Sequence, residues 1–217
     1  GNQATSRSQS RLLSRSLQRA VDDCCRDAIS SEDSRPARLH GPIGKWDVSQ
    51  VTDMSKIFRN LKYFNYTLAD WDTSRVTDMS GMFDNAFYFN QDLSKWDVSL
   101  VTNMTTMFRY ASSFNQDLSN WNVSRAIHTI EMFSNAESFN QDLFKWDVSR
   151  VSSMGAMFRY AEDFNQDLSN WDVSRIVSMD AIFSFAESFN QDLSKWNVSH
   201  VTSMNAMFRY AENFNQD

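Results

Sequence analysis

The apolar positions of this chain recur every 25 residues. Trp stands at 46, 71, 96, 121, 146, 171 and 196, and these are all seven tryptophans of the sequence. Two Phe columns keep the same step, one from Phe58 to Phe208 and one from Phe64 to Phe214. The consensus coil is L-S-x-W-D-V-S-x-V-T-x-M-x-x-M-F-x-x-A-x-x-F-N-Q-D. Self-similarity at such a period marks an array of coils, each unable to bury its own apolar face. A second period of 50 lies on top. Arg59, Arg109, Arg159 and Arg209 follow Phe in the odd coils, and Asp84, Ser134 and Ser184 take that place in the even ones. Lys45, Lys95, Lys145 and Lys195 precede Trp and alternate with Asp70, Asn120 and Asn170. Duplication of coil pairs accounts for both.

Within a coil the pattern changes period. Around Trp96, Leu93-x-x-Trp96-x-Val98 has the spacing of a leucine-rich-repeat strand, with Trp96 and Val98 alternating about Asp97. Met104, Met107, Phe108, Ala111 and Phe114 then follow at the spacing of one helix stripe. Ser99 or Thr102 is placed to cap that helix, and Asn115-Gln116-Asp117 to close it. The predicted fold is therefore an α/β repeat solenoid, leucine-rich-repeat-like, with a short parallel strand plus a helix in each of seven coils over residues 41–217. The Met stripe is core packing. Coil one departs from consensus at Tyr66-Thr67 and coil two at Thr73. Coil four does so over 125–130, where the core Val and first core Met are missing and a local distortion is expected.

Residues 1–40 lie outside the repeat. Leu13, Leu17, Val21, Cys24 and Ala28 form an apolar stripe, which predicts a capping helix over about 10–28. Arg7, Arg11, Arg15 and Arg19 make a second stripe on it, either solvated or docking a partner. At the other end, the last coil is expected to be covered by further chain or by a partner, because a bare coil leaves strand edge and apolar surface open.

Composition narrows the functions. A net charge of -6 gives no basic excess for phosphate contacts, so nucleic acid is not an expected partner. No apolar run is long enough for a membrane span, and no signal peptide is visible. Only five Gly and two Pro occur in 217 residues, so Asn, Asp and Ser must make the turns. The two cysteines, Cys24 and Cys25, are adjacent, make no disulfide framework, and fit small apolar positions on the capping helix.

The run Trp46-Asp47-Val48-Ser49-Gln50-Val51-Thr52-Asp53-Met54, with Phe114-Asn115-Gln116-Asp117-Leu118 and its copies, resembles the repeats of the BspA-like surface-protein family, known also from mycoplasma lipoproteins. The lead-in Leu17-x-x-Ala20-Val21-Asp22, followed by Gly41-Pro42-Ile43-Gly44-Lys45-Trp46, is similar to long eukaryotic members, notably algal ones. The resemblance implies surface display, adhesion and protein–protein contact. It supplies no catalytic residues, and a fold alone does not fix a ligand.

An outward Asp column holds Asp97, Asp147 and Asp172, with Asp47, Asp72, Asn122 and Asn197 at the remaining positions. Beside it run two basic columns, one of Lys95, Lys145 and Lys195, the other of Arg125, Arg150 and Arg175. These nine charged residues form the candidate interaction face. Cross-strand charge pairing or bonds to backbone N–H would offset repulsion along the Asp column. Ca²⁺ on adjacent Asp residues is the alternative, weakened by Asn122 and Asn197. The Asn column from Asn65 to Asn215 predicts a ladder that bonds turn backbone. The Thr column is too interrupted for a flat ice-binding array. Three His, at 40, 128 and 200, have no metal spacing, and no cofactor or phosphate loop is indicated. A repeat offers no unique converging residues, so no enzyme is expected. Asn103, Asn122 and Asn197 stand in glycosylation sequons that repeat drift would also produce. Two roles stay open: an extracellular or cell-surface adhesion protein with protein partners, or a structural subunit of a large multiprotein assembly, with an organelle as one setting.

Overall fold

The computed structural model describes residues 16–25 and 42–216. Among these, the helical elements are α1 (16–25) and a 3-10 turn over Ile43–Lys45. Successive coils pair in parallel at a single residue each, from Asp53 with Asp78 to Ser178 with Ser203, always 25 apart. The expected strand plus helix per coil is therefore wrong. Leu93–Val98 does not form a strand: Trp96 N–H donates to Leu93 O at 3.0 Å and closes a turn. Nor is Met104–Phe114 a helix, since Thr106 and Tyr110 have φ of 53° and 58°. Helical residues sit near −63°.

The backbone hydrogen bonds show what replaces the helix. Alternate N–H groups leave the coil: Thr106 donates to Ile130 O, Phe108 to Met132 O and Tyr110 to Ser134 O, each at 2.9 Å. The N–H groups between them stay inside it. Met107 donates to Met104 O at 3.1 Å, Arg109 to Thr106 O at 3.2 Å, and Ala111 to Phe108 O at 3.1 Å. Each coil is thus a run of overlapping four-residue turns whose outer bonds zip it to the next. A positive φ at the third residue of the turns 104–107 and 108–111 is the mark of a type II turn, which favours Gly or Asn. Gly81, Asn60, Asn85 and Asn135 meet that preference. Lys56, Thr106, Glu131, Ala156, Tyr160 and others do not. A non-Gly residue held there costs about 1–3 kcal/mol. Bonds to the neighbouring coil hold it.

This run of turns also explains the misleading period. The turns return a side chain to the interior every three or four residues, as a helix stripe does. Met104, Met107, Phe108, Ala111 and Phe114 are all fully buried. Phe108 stacks on Phe114 at 4.1 Å within the coil and on Phe133 at 5.6 Å in the next. Each buried indole needs an acceptor. Trp96 Nε1 donates to Leu68 O at 3.1 Å and Trp121 Nε1 to Leu93 O at 3.0 Å, a bond repeated along the array.

Leu17, Val21, Cys24 and Cys25 of α1 are buried in the same core as Val48 and Ile57. Gln18 Nε2 also reaches Ile57 O at 3.3 Å. Both cysteines are free thiols, and burial pushes the Cys25 thiol well up. Arg19 is exposed. The rest of the expected 10–28 cap, with Leu13, Ala28, Arg7, Arg11 and Arg15, lies outside the described residues.

The departures from consensus are absorbed locally. Thr73 is buried and donates its hydroxyl to Asp97 O at 2.9 Å. In coil four Ala126 and Thr129 fill the Val and Met positions, both buried. Thr129 offers its hydroxyl to Ser153 O at 3.5 Å, where Met104 and Met179 send a backbone N–H onward. The expected distortion reduces to that exchange, for His128 still pairs with Asn103 and Ser153.

Candidate interaction surface

Polar side chains make the turns that Gly and Pro would otherwise make. In the outward column, Asp97 Oδ1 accepts Ser99 N–H at 2.9 Å, and Asp147 and Asp172 accept Ser149 and Ser174 in the same way. These are Asx-turns. The hydroxyl and then the N–H of Ser174 hold the Asp172 carboxyl below the usual range, with Arg175 a lesser contributor. The column is therefore relieved by its own serines, not by cross-strand pairing with the flanking basic columns. Lys95, Lys145, Lys195, Arg125, Arg150 and Arg175 are all exposed, as are the three Asp residues, so the nine form one solvated ridge beside the Trp column. A pairing between coils occurs inside the Lys column, where Lys45 Nζ meets Asp70.

The Asn column works as a ladder. Asn90 Oδ1 accepts both Asn115 N–H at 3.0 Å and Gln116 Nε2 at 2.9 Å, and the same pair of bonds recurs at each later step. One amide oxygen thereby satisfies two donors of the next coil.

The 50-residue alternation marks a charged site. Asp84, only 3% exposed, lies between Arg59 and Arg109. Arg109 grips it through Nε at 3.0 Å and Nη2 at 2.9 Å, a fork-on-fork contact, while Arg59 Nε lies 3.1 Å from it. Arg109 Nη1 also reaches Glu131 at 2.8 Å. Asp84 foremost, with Glu131, holds the guanidinium charged well above its ordinary range. Arginine in every coil would stack like charges; Arg–Asp–Arg removes that conflict. This clamp borders a groove of about 410 Å³ that Lys56, Thr106 and His128 also line.

One residue further along the chain, an aromatic strip emerges. Tyr110 and Tyr210 are 46% and 56% exposed, high for side chains of this size. Tyr160 stacks on Phe185 at 4.2 Å, and Phe185 lies 4.6 Å from Tyr210. Arg159 and Arg209 sit over the rings of Tyr160 and Tyr210 at 5.1 and 5.0 Å. These tyrosines occupy a positive-φ turn position.

The family described as Mycoplasma protein of unknown function, DUF285, matches residues 29–146 and 130–217. The chain belongs to this family. A comparison with curated proteins gave no match. In this DUF285 chain, then, the coarse resemblance to mycoplasma and BspA-like repeats holds.

Sequence reasoning on the DUF285 coil missed the clamp and the aromatic strip as sites. The alternation of Arg with Asp or Ser was the available signal for the clamp. Under the helix reading, the aromatic position fell at an unassigned place in the coil. Among the described residues, no group of three or more His, Cys, Asp or Glu gathers as metal ligands. No described helix is long and apolar enough to cross a membrane. Of the sequon residues, Asn103 is half-buried and spends its amide nitrogen on Asp78 at 3.1 Å, whereas Asn122 and Asn197 are exposed.

Proposed function

We propose that this DUF285 chain is a non-catalytic protein-binding array displayed at a cell surface, where it serves adhesion. The exposed Tyr110 and Tyr210, with the half-buried Tyr160 and Phe185 stacked in line with Tyr210 and with Arg159 and Arg209 over the rings of Tyr160 and Tyr210, carry this reading. Aromatic and Arg side chains dominate the energetics of protein interfaces. Rigid aromatics on a ladder lose little conformational freedom when a partner docks. Catalysis would need different groups converging on one pocket. The repeat instead presents the same groups again along each column. The BspA-like and mycoplasma resemblance supports surface display, and the similarity of the lead-in to long eukaryotic, algal members is part of the same reading.

A photo-crosslinking residue placed at Tyr110 or Tyr210 of the protein in its own cells tests the reading. Adducts to a defined protein from these positions, and none from Ser94 on another column, are expected. Equal labelling from both columns contradicts the strip as the binding surface. Glycopeptides carrying glycans at Asn122 or Asn197 support the secretory route. Full-coverage unmodified peptides, together with fixed-stoichiometry copurification, point instead to a permanent assembly subunit.

A further inference from the structure

The clamp at Asp84 has a counterpart without a carboxylate two coil-pairs along. Arg159, Ser184 and Arg209 occupy the places that Arg59, Asp84 and Arg109 hold earlier. The backbone register is the same at both. Asn60 N–H donates to Asp84 O at 2.8 Å and Asn85 N–H to Arg109 O at 2.7 Å. Tyr160 N–H donates to Ser184 O at 2.9 Å and Phe185 N–H to Arg209 O at 2.7 Å. In the first clamp a carboxylate fills the space between the guanidiniums. In the second the central residue is Ser184, which is 2% exposed. No buried side-chain oxygen or nitrogen among the described residues is left without a partner, so its hydroxyl is either bonded or touches solvent, and no carboxylate stands there. Arg159 and Arg209 have no acidic partner among them either. The acid that Arg109 meets on its other side, Glu131, is replaced in the following coils by Ala156, Ala181 and Ala206. The intermediate case is closed differently: at Ser134 the hydroxyl bonds Asn135 Oδ1 at 3.2 Å, and Arg109 on one side is already engaged.

We propose that Arg159, Ser184 and Arg209 form a receptor for a carboxylate carried by a partner protein, an Asp or Glu side chain that takes the place Asp84 takes in the first clamp. The guanidiniums donate to its two oxygens, the Ser184 hydroxyl donates a third bond, and the Tyr160–Phe185–Tyr210 stack packs the flanking residues of the partner segment. Two arginines without an anion between them repel, and the incoming carboxylate relieves this as Asp84 does internally. The neighbouring Glu162, Glu187 and Glu212 sit on the next turn and disfavour a segment of uniformly high negative charge. This inference rests on the protein-binding reading and names the chemistry of the partner.

Titration of the full chain with an N-acetylated, C-terminally amidated Gly-Glu-Gly-Tyr peptide, its Gln analogue and inorganic phosphate, observed at the Arg Nε–Hε resonances, tests it. The Glu peptide is expected to shift Arg159 and Arg209 to saturation and to leave Arg59 and Arg109 in place, with the Gln analogue at least tenfold weaker. Ser184→Asp should abolish the shifts by filling the receptor from within. Asp84→Ser should open a second receptor, at which Arg59 and Arg109 then respond to the peptide. Absence of saturable shifts at Arg159 and Arg209, equal shifts at Arg59 in the unaltered protein, or saturation by phosphate but not by the Glu peptide would each overturn the proposal. Partner adducts at Tyr210 together with no peptide response would sink this inference alone. A peptide response without adducts would leave the site and remove the protein-binding reading.

Discussion

Ala156 and Ala181 separate the turn from the helix by sign. Both have φ near 54° and both are half-buried. In a helix, Ala→Gly at each would cost about 1 kcal/mol. In the observed turns the methyl group itself is the problem. Relief of a left-handed conformation gains about 1–2 kcal/mol. The freer unfolded chain takes back about 0.4–1 kcal/mol, and the lost half-buried methyl takes back up to about 0.8 kcal/mol. Each substitution should therefore fall between a loss of about 0.8 kcal/mol and a gain of about 1.6 kcal/mol, centred on a small gain. The double variant Ala156→Gly/Ala181→Gly widens the gap: about 2 kcal/mol lost in a helix, against a range centred on about 0.8 kcal/mol gained in the turns. Urea denaturation followed by Trp fluorescence measures it, with an unchanged m-value showing that the same surface unfolds. A loss near 1 kcal/mol at each site would refute the turn assignment.

Other perturbations probe the remaining contacts. Asp84→Ala leaves two guanidiniums facing each other and should cost about 1–3 kcal/mol by urea denaturation, short of a fully buried pair because both arginines keep some solvent contact. Gly44→Ala places a Cβ 2.5 Å from the Thr67 carbonyl oxygen, so backbone must move; a loss of about 1–3 kcal/mol is expected in thermal unfolding. The Asx-turn carboxyls Asp72, Asp92, Asp117 and Asp172 are all held low by serine hydroxyl and N–H donors. A lowered folded pKa gives stability that is complete above the unfolded value and is lost as pH falls through the folded one. Tm should therefore hold above about pH 4.5 and fall steadily toward pH 2, and a flat profile over that range would contradict these turns.

The 25-residue unit, its core columns and the Asn ladder were legible in the sequence because burial and identity repeat together. Phe108, Phe114 and Trp96 could be assigned to the core without knowing the backbone path. The path itself was hidden, because a run of turns and a helix bury residues at the same three- and four-residue spacing. Only the left-handed positions distinguish them, and those are occupied here by Lys56, Thr106, Ala156 and Tyr160 instead of the Gly or Asn that would have signalled a turn. Tertiary bonding between coils overrode local preference there. The charged ridge from Lys95 to Lys195 was visible as columns, yet its Asp residues serve their own turns. The clamp at Asp84 lay behind an alternation that could be seen but not interpreted without knowing which coils touch.

The alternation of hydrogen bonds, one N–H to the next coil and one within the turn, supports every column described above. Through-bond N–C′ couplings in deuterated protein observe those bonds one by one. Phe108 N should couple to the carbonyl carbon of Met132, 24 residues ahead, and Met107 N to that of Met104. A coupling from Phe108 N to Met104 instead would be an i−4 helical bond and would contradict the architecture on which the strip and both clamps depend.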